Sequence, residues 1–230
     1  MMTGSQRLLV FLVIALYHTA ICQVPFPNSC PEVKVVDTFD LDRYMGIWYE
    51  YSKYPFIWEA GQKCQYAIYK NNGNGTVAVK NVGTYVVINK SHSVQGTAKV
   101  IAPGQLAVAF RNQTADEPNY LVLGTDYDNW VVVYSCKNVS SFAHTKIIWI
   151  LTRQRQPTDE AIQQAKQILK DNLLSEDFMM TSTQTDCPDV NAHDNAGSDT
   201  ADQDAAASTV SHQSNFDLSS TTTPSVYEIA

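Results

Sequence analysis

The 230-residue sequence is short of positive charge at one end and of catalytic motifs throughout. From residue 188 to residue 230 there is no lysine or arginine, but seven acids occur there (Asp189, Asp194, Asp199, Asp202, Asp204, Asp217 and Glu228). The formal net charge of −7 therefore sits entirely in this tail, and residues 1–187 carry sixteen charges of each sign. A neutral body without a basic stripe excludes a nucleic-acid partner read through its phosphates. No run after the amino terminus is long and apolar enough to cross a bilayer as a helix. Histidine is scarce, with only His92 and His144 in the central body. His92 falls in an expected turn and His144 at the start of a strand, so both read as surface residues. Nucleophile elbows, zinc-binding H-E-x-x-H, phosphate-binding loops and dinucleotide fingerprints are all missing. The reading is of a protein without a catalytic step.

The amino terminus reads as a targeting segment. Arg7 precedes the apolar run 8–16, and Ala20-Ile21-Cys22 supplies small residues for cleavage before Gln23. The run is about half the length that a membrane span needs. The expected layout is therefore a signal peptide over 1–22, a folded domain over 23–187 and a disordered acidic Ser/Thr/Ala-rich tail over 188–230. Removing Cys22 leaves Cys30, Cys64, Cys136 and Cys187, an even number that reads as two disulfides in an oxidising compartment. Four cysteines allow three pairings, and their spacing does not choose among them. Secretion also gives meaning to the sequons at Asn74, Asn89, Asn112 and Asn138, of which at least two are expected to carry glycans.

Between Gly46 and Thr152 the chain is made of short β-branched and aromatic runs at 47–51, 65–69, 77–88, 93–100, 106–110, 120–124, 130–135 and 145–151. Turn residues separate them, at 71–75, 89–92 and 126–129. Such short connections imply antiparallel neighbours. After the last run, Thr158 followed by Asp159 and Glu160 is a helix start. Ala161, Ile162, Ala165, Ile168, Leu169 and Leu173 then recur at helical spacing, and the apolar face they form must dock on the sheet. A final strand is expected over 178–183. Twelve tyrosines and four tryptophans exceed what a small β core needs. They suit either the wall of a ligand cavity or a solid core with surface tyrosines, and composition leaves those two readings level.

Particular residues then carry a resemblance. Gly46-Ile47-Trp48, Thr125-Asp126-Tyr127 and Arg153 are similar, in order, to the three signatures of the lipocalins. Residues 24–31, 119–127, 133–136 and 148–155 resemble the branch of apolipoprotein D, the bilin-binding proteins and the insect Lazarillo proteins, the neural Lazarillo members most of all. The resemblance spans residues 23–187. It implies an all-β fold: an eight-stranded antiparallel up-and-down barrel with one C-terminal amphipathic α-helix packed outside. It also implies disulfides Cys30–Cys136 and Cys64–Cys187, and a structural pairing of Trp48 with Arg153 at the closed end. A lumen that includes Tyr69, Asn81, Tyr85, Phe110, Tyr120, Val122, Ile147 and Trp149 follows from it, with Asn81 and Tyr85 as polar anchors. The loop Phe56-Ile57-Trp58 would stand at the barrel mouth, gating it, touching a lipid surface, or folding onto its own barrel.

The function so implied is a secreted, monomeric carrier of a fatty acid, long hydrocarbon, retinoid or sterol-like molecule, with a role in lipid metabolism and stress resistance. A bilin carrier and a surface signalling or adhesion protein are the alternatives. No cofactor is expected beyond a bound lipid or bilin; a cell-surface receptor, lipoprotein or membrane surface is the implied macromolecular partner. Three departures set limits on what carries over. Residues 112–117 hold no methionine, so the hydroperoxide reduction associated with mammalian members does not carry over. Lys137-Asn138 follow Cys136 where those members have a further cysteine, so no interchain disulfide is expected. The final residues 225–230 lack the apolar signal of a lipid anchor, so release as a soluble protein is expected.

Overall fold

The computed structural model describes residues 25–111 and 113–190. The expected signal peptide, the sequon Asn112 and the acidic tail beyond 190 lie outside the described residues. In chain order the elements are β1 (Pro25–Pro27), α1 (Leu41–Tyr44), β2 (Gly46–Lys53), a single 3-10 turn (Ile57–Glu59), β3 (Gln62–Asn71), β4 (Thr76–Tyr85), β5 (Lys90–Ala102), β6 (Gln105–Phe110), β7 (Tyr120–Thr125), β8 (Trp130–Ser140), β9 (Ala143–Thr152), α2 (Asp159–Asp171) and β10 (Met180–Thr181).

Strands β2 to β9 pair in sequence order, each antiparallel to the next, and β9 returns to β2 through Tyr49↔Thr152 and Lys53↔Trp149. That closure leaves an eight-stranded barrel, as the resemblance implies. The connections after β2, β4, β6 and β8 lie at one end and those after β3, β5 and β7 at the other. A bulge between Glu50 and Ser52 bends β2 where it meets β9, and another between Lys63 and Tyr66 bends β3. Two short strands flank the barrel. β1 pairs with the first half of β9, and β10 pairs with the end of β2. Only Met180 and Thr181 of the expected final strand pair; the segment after them is held by the backbone bonds Ser182 N–H to Tyr51 O (2.9 Å) and Cys64 N–H to Thr183 O (2.8 Å), and by Gln184 Nε2 donating to the carbonyls of Glu50 (2.9 Å) and Gln65 (2.7 Å).

Helix α2 lies on the outer wall of β7 and β8. Thr158 caps it by accepting from the Ala161 N–H at 3.3 Å, and Ala161, Ile162, Ala165 and Leu169 form its buried face. Ile168 sits over Gly124, where an added Cβ would lie 2.8 Å from its side chain. Leu173 does not join this face. The helix ends at Asn172, the N–H groups of Leu173 and Leu174 bond back to Lys170 O and Leu169 O, and Leu173 takes a left-handed φ of 56°. This reversal leaves Leu173 95% exposed and buries Leu174 in its place.

The turn between β4 and β5 also differs from expectation. Tyr85 pairs with Lys90, so the turn is residues 86–89 and Lys90, Ser91 and His92 are already strand. Cross-strand contacts fix this register: Thr84 Oγ1 lies 2.9 Å from Ser91 Oγ, and the Tyr85 and His92 rings stack at 4.4 Å. Asn89 supplies the left-handed residue that closes the turn, with φ 47°. Val86, Val87 and Ile88 are strand formers without a strand to pair with, and Val87 is 94% exposed. His144 is another correction. It is buried, stacked on Phe26 at 5.6 Å, with Nδ1 2.8 Å from the Asn28 carbonyl, because β1 covers the start of β9.

Two disulfides tie the ends of the domain to the barrel. Cys30–Cys136 fixes the amino-terminal segment to β8, and Cys64–Cys187 fixes the carboxy-terminal segment to β3. Of the sequons within the described residues, Asn74 and Asn89 lie in exposed turns. Asn138 lies on β8 itself, exposed, with Oδ1 accepting from the Cys30 N–H at 2.7 Å.

Candidate ligand-binding site

The barrel encloses a cavity of about 410 Å³, within the range of small-molecule sites. Its end at the start of β2 is sealed by one cation. Arg153, which directly follows β9, stacks its guanidinium on the Trp48 ring at 3.7 Å. Its three nitrogens donate to backbone carbonyls of three different segments: Nε to Tyr127 (2.9 Å), Nη1 to Ile47 (2.9 Å) and Nη2 to Arg43 (2.7 Å). Gly46, with φ 98°, admits the guanidinium, because an added Cβ would lie 3.3 Å from Nη1. Trp48 Nε1 donates to the Tyr44 carbonyl at 2.8 Å, which brings α1 against the barrel floor.

The turn between β7 and β8 completes this seal. Asp126 Oδ1 accepts from the N–H groups of Asp128 (3.2 Å), Asn129 (2.8 Å) and Trp130 (2.9 Å), while Oδ2 accepts from Asn129 Nδ2 (2.7 Å). Burial alone would raise the Asp126 carboxyl, but these donors hold it below the ordinary aspartate value. Thr125 Oγ1 donates to Trp130 O at 2.8 Å and accepts from the Tyr127 N–H at 2.9 Å. The six signature residues thus meet at the closed end: Thr125, Asp126, Tyr127 and Arg153 through hydrogen bonds, Trp48 through the stacked guanidinium, and Gly46 through the space it leaves.

The opposite end gives access. Of the residues expected in the lumen, Tyr69, Asn81, Tyr85, Phe110, Tyr120 and Trp149 line the cavity. Val122 and Ile147 are buried in the core without reaching it. At the mouth Phe56 lines the cavity, edge-on to Trp149 at a centroid distance of 6.2 Å, whereas Ile57 is exposed. The side chain of Trp58 lies outside the described part of the structure.

Beyond Tyr69, Asn81, Tyr85 and Tyr120, sequence reasoning missed much of the polar wall. Tyr44, Glu50, Glu59, Gln65 and His92 also line the cavity, with Trp48 at its floor. Glu50 lies on β2 one step from Trp48 along the same face, and the 3-10 turn lowers Glu59 beside it. Lys53 Nζ bridges both carboxylates, 2.8 Å from Glu50 and in contact with Glu59, and Ser182 Oγ donates to Glu50. Burial, then the charge of Glu50, raises the Glu59 carboxyl to about 8, against the pull of Lys53. Lys53 itself is raised, because the two carboxylates outweigh its desolvation. No motif announces this cluster: a glutamate at each end of a ten-residue stretch looks like ordinary surface charge until the bulge and the turn bring the two together.

The comparisons with known proteins follow this geometry. Residues 39–182 match the family model described as a lipocalin-like domain. The chain belongs to the lipocalins, and its barrel is a carrier site for a small hydrophobic ligand. Within that family it fits the branch of apolipoprotein D and Lazarillo. It is 35% identical to apolipoprotein D of Cavia porcellus over 191 residues, covering 81% of this chain and 98% of the relative. It is 33% identical to the bilin-binding protein of Pieris brassicae over 155 residues, 65% of this chain and 80% of that one. Among solved structures, insecticyanin of Manduca sexta superposes with a TM-score of 0.64 at 25% identity, covering 71% of this chain and 90% of that chain.

Proposed function

We propose that the protein is a secreted carrier that holds one elongated hydrophobic molecule in its barrel, without a chemical step, and serves lipid metabolism and stress resistance. The cavity carries this reading: a closed floor, an open mouth, and a wall of Val, Ala, Leu, Phe and Trp side chains broken by a few polar groups. Burial supplies the affinity. Each methylene contributes about 0.8 kcal/mol, so a chain of about a dozen carbons reaches micromolar binding after association costs. Fatty acids, long hydrocarbons, retinoids and sterol-like compounds have suitable shape.

The layout proposed with it is a cleaved signal peptide over 1–22, a lipocalin domain over 23–187 and an acidic tail over 188–230. Two disulfides support export to an oxidising compartment, and exposed Asn74, Asn89 and Asn138 support glycosylation there. All four cysteines among the described residues are paired, which leaves no thiol in the lumen for an isomerase mechanism. Ile57, the 86–88 tip and Phe142, all exposed, stand at the open end, an arrangement suited to ligand exchange with a lipoprotein, membrane or receptor surface. The similarity to a bilin-binding protein favours a second reading, a tetrapyrrole carrier. Native mass spectrometry with organic extraction of the protein secreted from a eukaryotic host tests both. A co-purifying lipid or hydrocarbon supports the first reading and a pigment absorbing in the visible supports the second. An empty barrel that also refuses a panel of fluorescent lipids refutes the carrier reading.

A further inference from the structure

Three phenols meet at the deep end of the cavity. Tyr120 Oη lies 2.6 Å from Tyr44 Oη and 3.1 Å from Tyr69 Oη, and the Tyr44 and Tyr69 rings stack at 5.7 Å. Tyr44 comes from α1, Tyr69 from β3 and Tyr120 from β7, and all three line the cavity. Each phenol has one O–H to donate. Three donors and two contacts leave one O–H without a protein acceptor, whichever way the chain of hydroxyls is oriented. Among the described residues, no other hydrogen bond is made by these oxygens. Burial raises Tyr69 to about 12 and raises Tyr44 and Tyr120 well above the ordinary phenol value, so all three stay neutral donors at physiological pH.

The charges around the lumen decide what kind of acceptor fits. Glu50 and Glu59 face the cavity, while the Lys53 they share is not part of its wall. Arg111 is the one cationic side chain on the wall among the described residues, at the exposed rim after β6. A carboxylate head reaching the floor would meet no cationic side chain of the wall there, give up its water and gain only neutral phenols. A carbonyl oxygen pays far less desolvation and accepts the same bond.

Resting on the carrier reading, we propose that Tyr44, Tyr69 and Tyr120 form a head-group site that takes the carbonyl oxygen of an uncharged elongated ligand (a ketone, aldehyde or ester) inserted carbonyl first. This places fatty-acid carboxylates last among the ligand classes considered above, and it moves the polar anchor from Asn81 and Tyr85 to the floor.

The test uses the full-length secreted protein, stripped of lipid, and a straight-chain alkane, methyl ketone and carboxylate of equal carbon count. Each competes against a fluorescent probe bound in the lumen. The key variant carries Tyr44→Phe, Tyr69→Phe and Tyr120→Phe together, because removing every hydroxyl at once leaves no orphaned partner. The ketone should bind the variant about five- to tenfold more weakly than the wild type, the scale of one buried neutral hydrogen bond. The alkane should bind it equally well or better, and the wild type should take the ketone over the carboxylate. Isotope-edited infrared spectra should show the bound ketone's C=O stretch lowered in the wild type and restored in the variant. The wild-type spectrum is informative even where the variant folds poorly. An unshifted stretch, equal responses of ketone and alkane, or preference for the carboxylate overturns the proposal while leaving the carrier reading intact. Failure of both alkane and ketone to bind the wild type overturns both.

Discussion

Replacing Arg153 by lysine tests whether the closed end is a structural seal. The guanidinium donates to three carbonyls that belong to α1, β2 and the turn after β7, and its plane lies against Trp48. An ammonium keeps the charge, but it has one nitrogen to cover three acceptors and no plane to stack. At least two charge-assisted hydrogen bonds are lost. With a discount for partial solvent access, each contributes about 1 kcal/mol, and the lost stacking adds about 0.5–1 kcal/mol. Lysine should therefore cost about 2–3 kcal/mol, equivalent to a fall in Tm of about 4–12 °C for a domain of this size. The assay is urea denaturation with disulfides intact, followed by far-UV circular dichroism and by the fluorescence of tryptophan. Ligand affinity measured on the same preparation should not change, because Arg153 lies behind Trp48 and is not part of the cavity wall. A loss below about 0.5 kcal/mol, or a loss of binding with stability unchanged, would refute the reasoning.

Leu173→Gly should stabilise the domain by about 0.5–1 kcal/mol, since a left-handed, almost fully exposed leucine gives up conformational strain and no packing; thermal unfolding reads it. Glu59 has its folded pKa raised, so the fold binds the proton more tightly than the unfolded chain does. Stability from this group is full below the ordinary glutamate value and falls as pH rises toward about 8, and Glu59→Gln should flatten that slope in urea melts across the same range. Replacing Cys64 and Cys187 together by serine should lower stability by about 2–4 kcal/mol, because the bond closes a separation of 123 residues; an unchanged midpoint would show that the hydrogen bonds of residues 182–184 hold the segment without the disulfide.

Much of the barrel is legible in the linear sequence because its physics is local. β-branched runs with turn residues between them define strands too close together for crossovers, and the family resemblance placed Tyr69 and Trp149 in the lumen. The Thr158 cap and the apolar spacing up to Leu169 likewise define α2 without any tertiary information. Where local preference and tertiary pairing disagreed, pairing prevailed. Residues 86–88 have strong strand propensity, yet the register set by Thr84–Ser91 and Tyr85–His92 makes them a turn. His144 looked exposed until β1 lay over it, and Leu173 fitted the helical period until the backbone reversed at Asn172.

The chemistry of the site shows the same division. Sequence by itself determined that the chain makes an antiparallel barrel with an outer helix, and the signature residues identified its closed end. Which polar groups of the cavity meet one another was decided only by the tertiary structure. Glu50, Lys53 and Glu59 come together through a bulge and a 3-10 turn. Tyr44, Tyr69 and Tyr120 come from segments separated by 76 and 51 residues, and only barrel closure brings their hydroxyls within hydrogen-bonding distance. Periodicity tells which face a side chain takes on its own strand; which side chains meet across a lumen depends on the closure and stagger of the whole sheet.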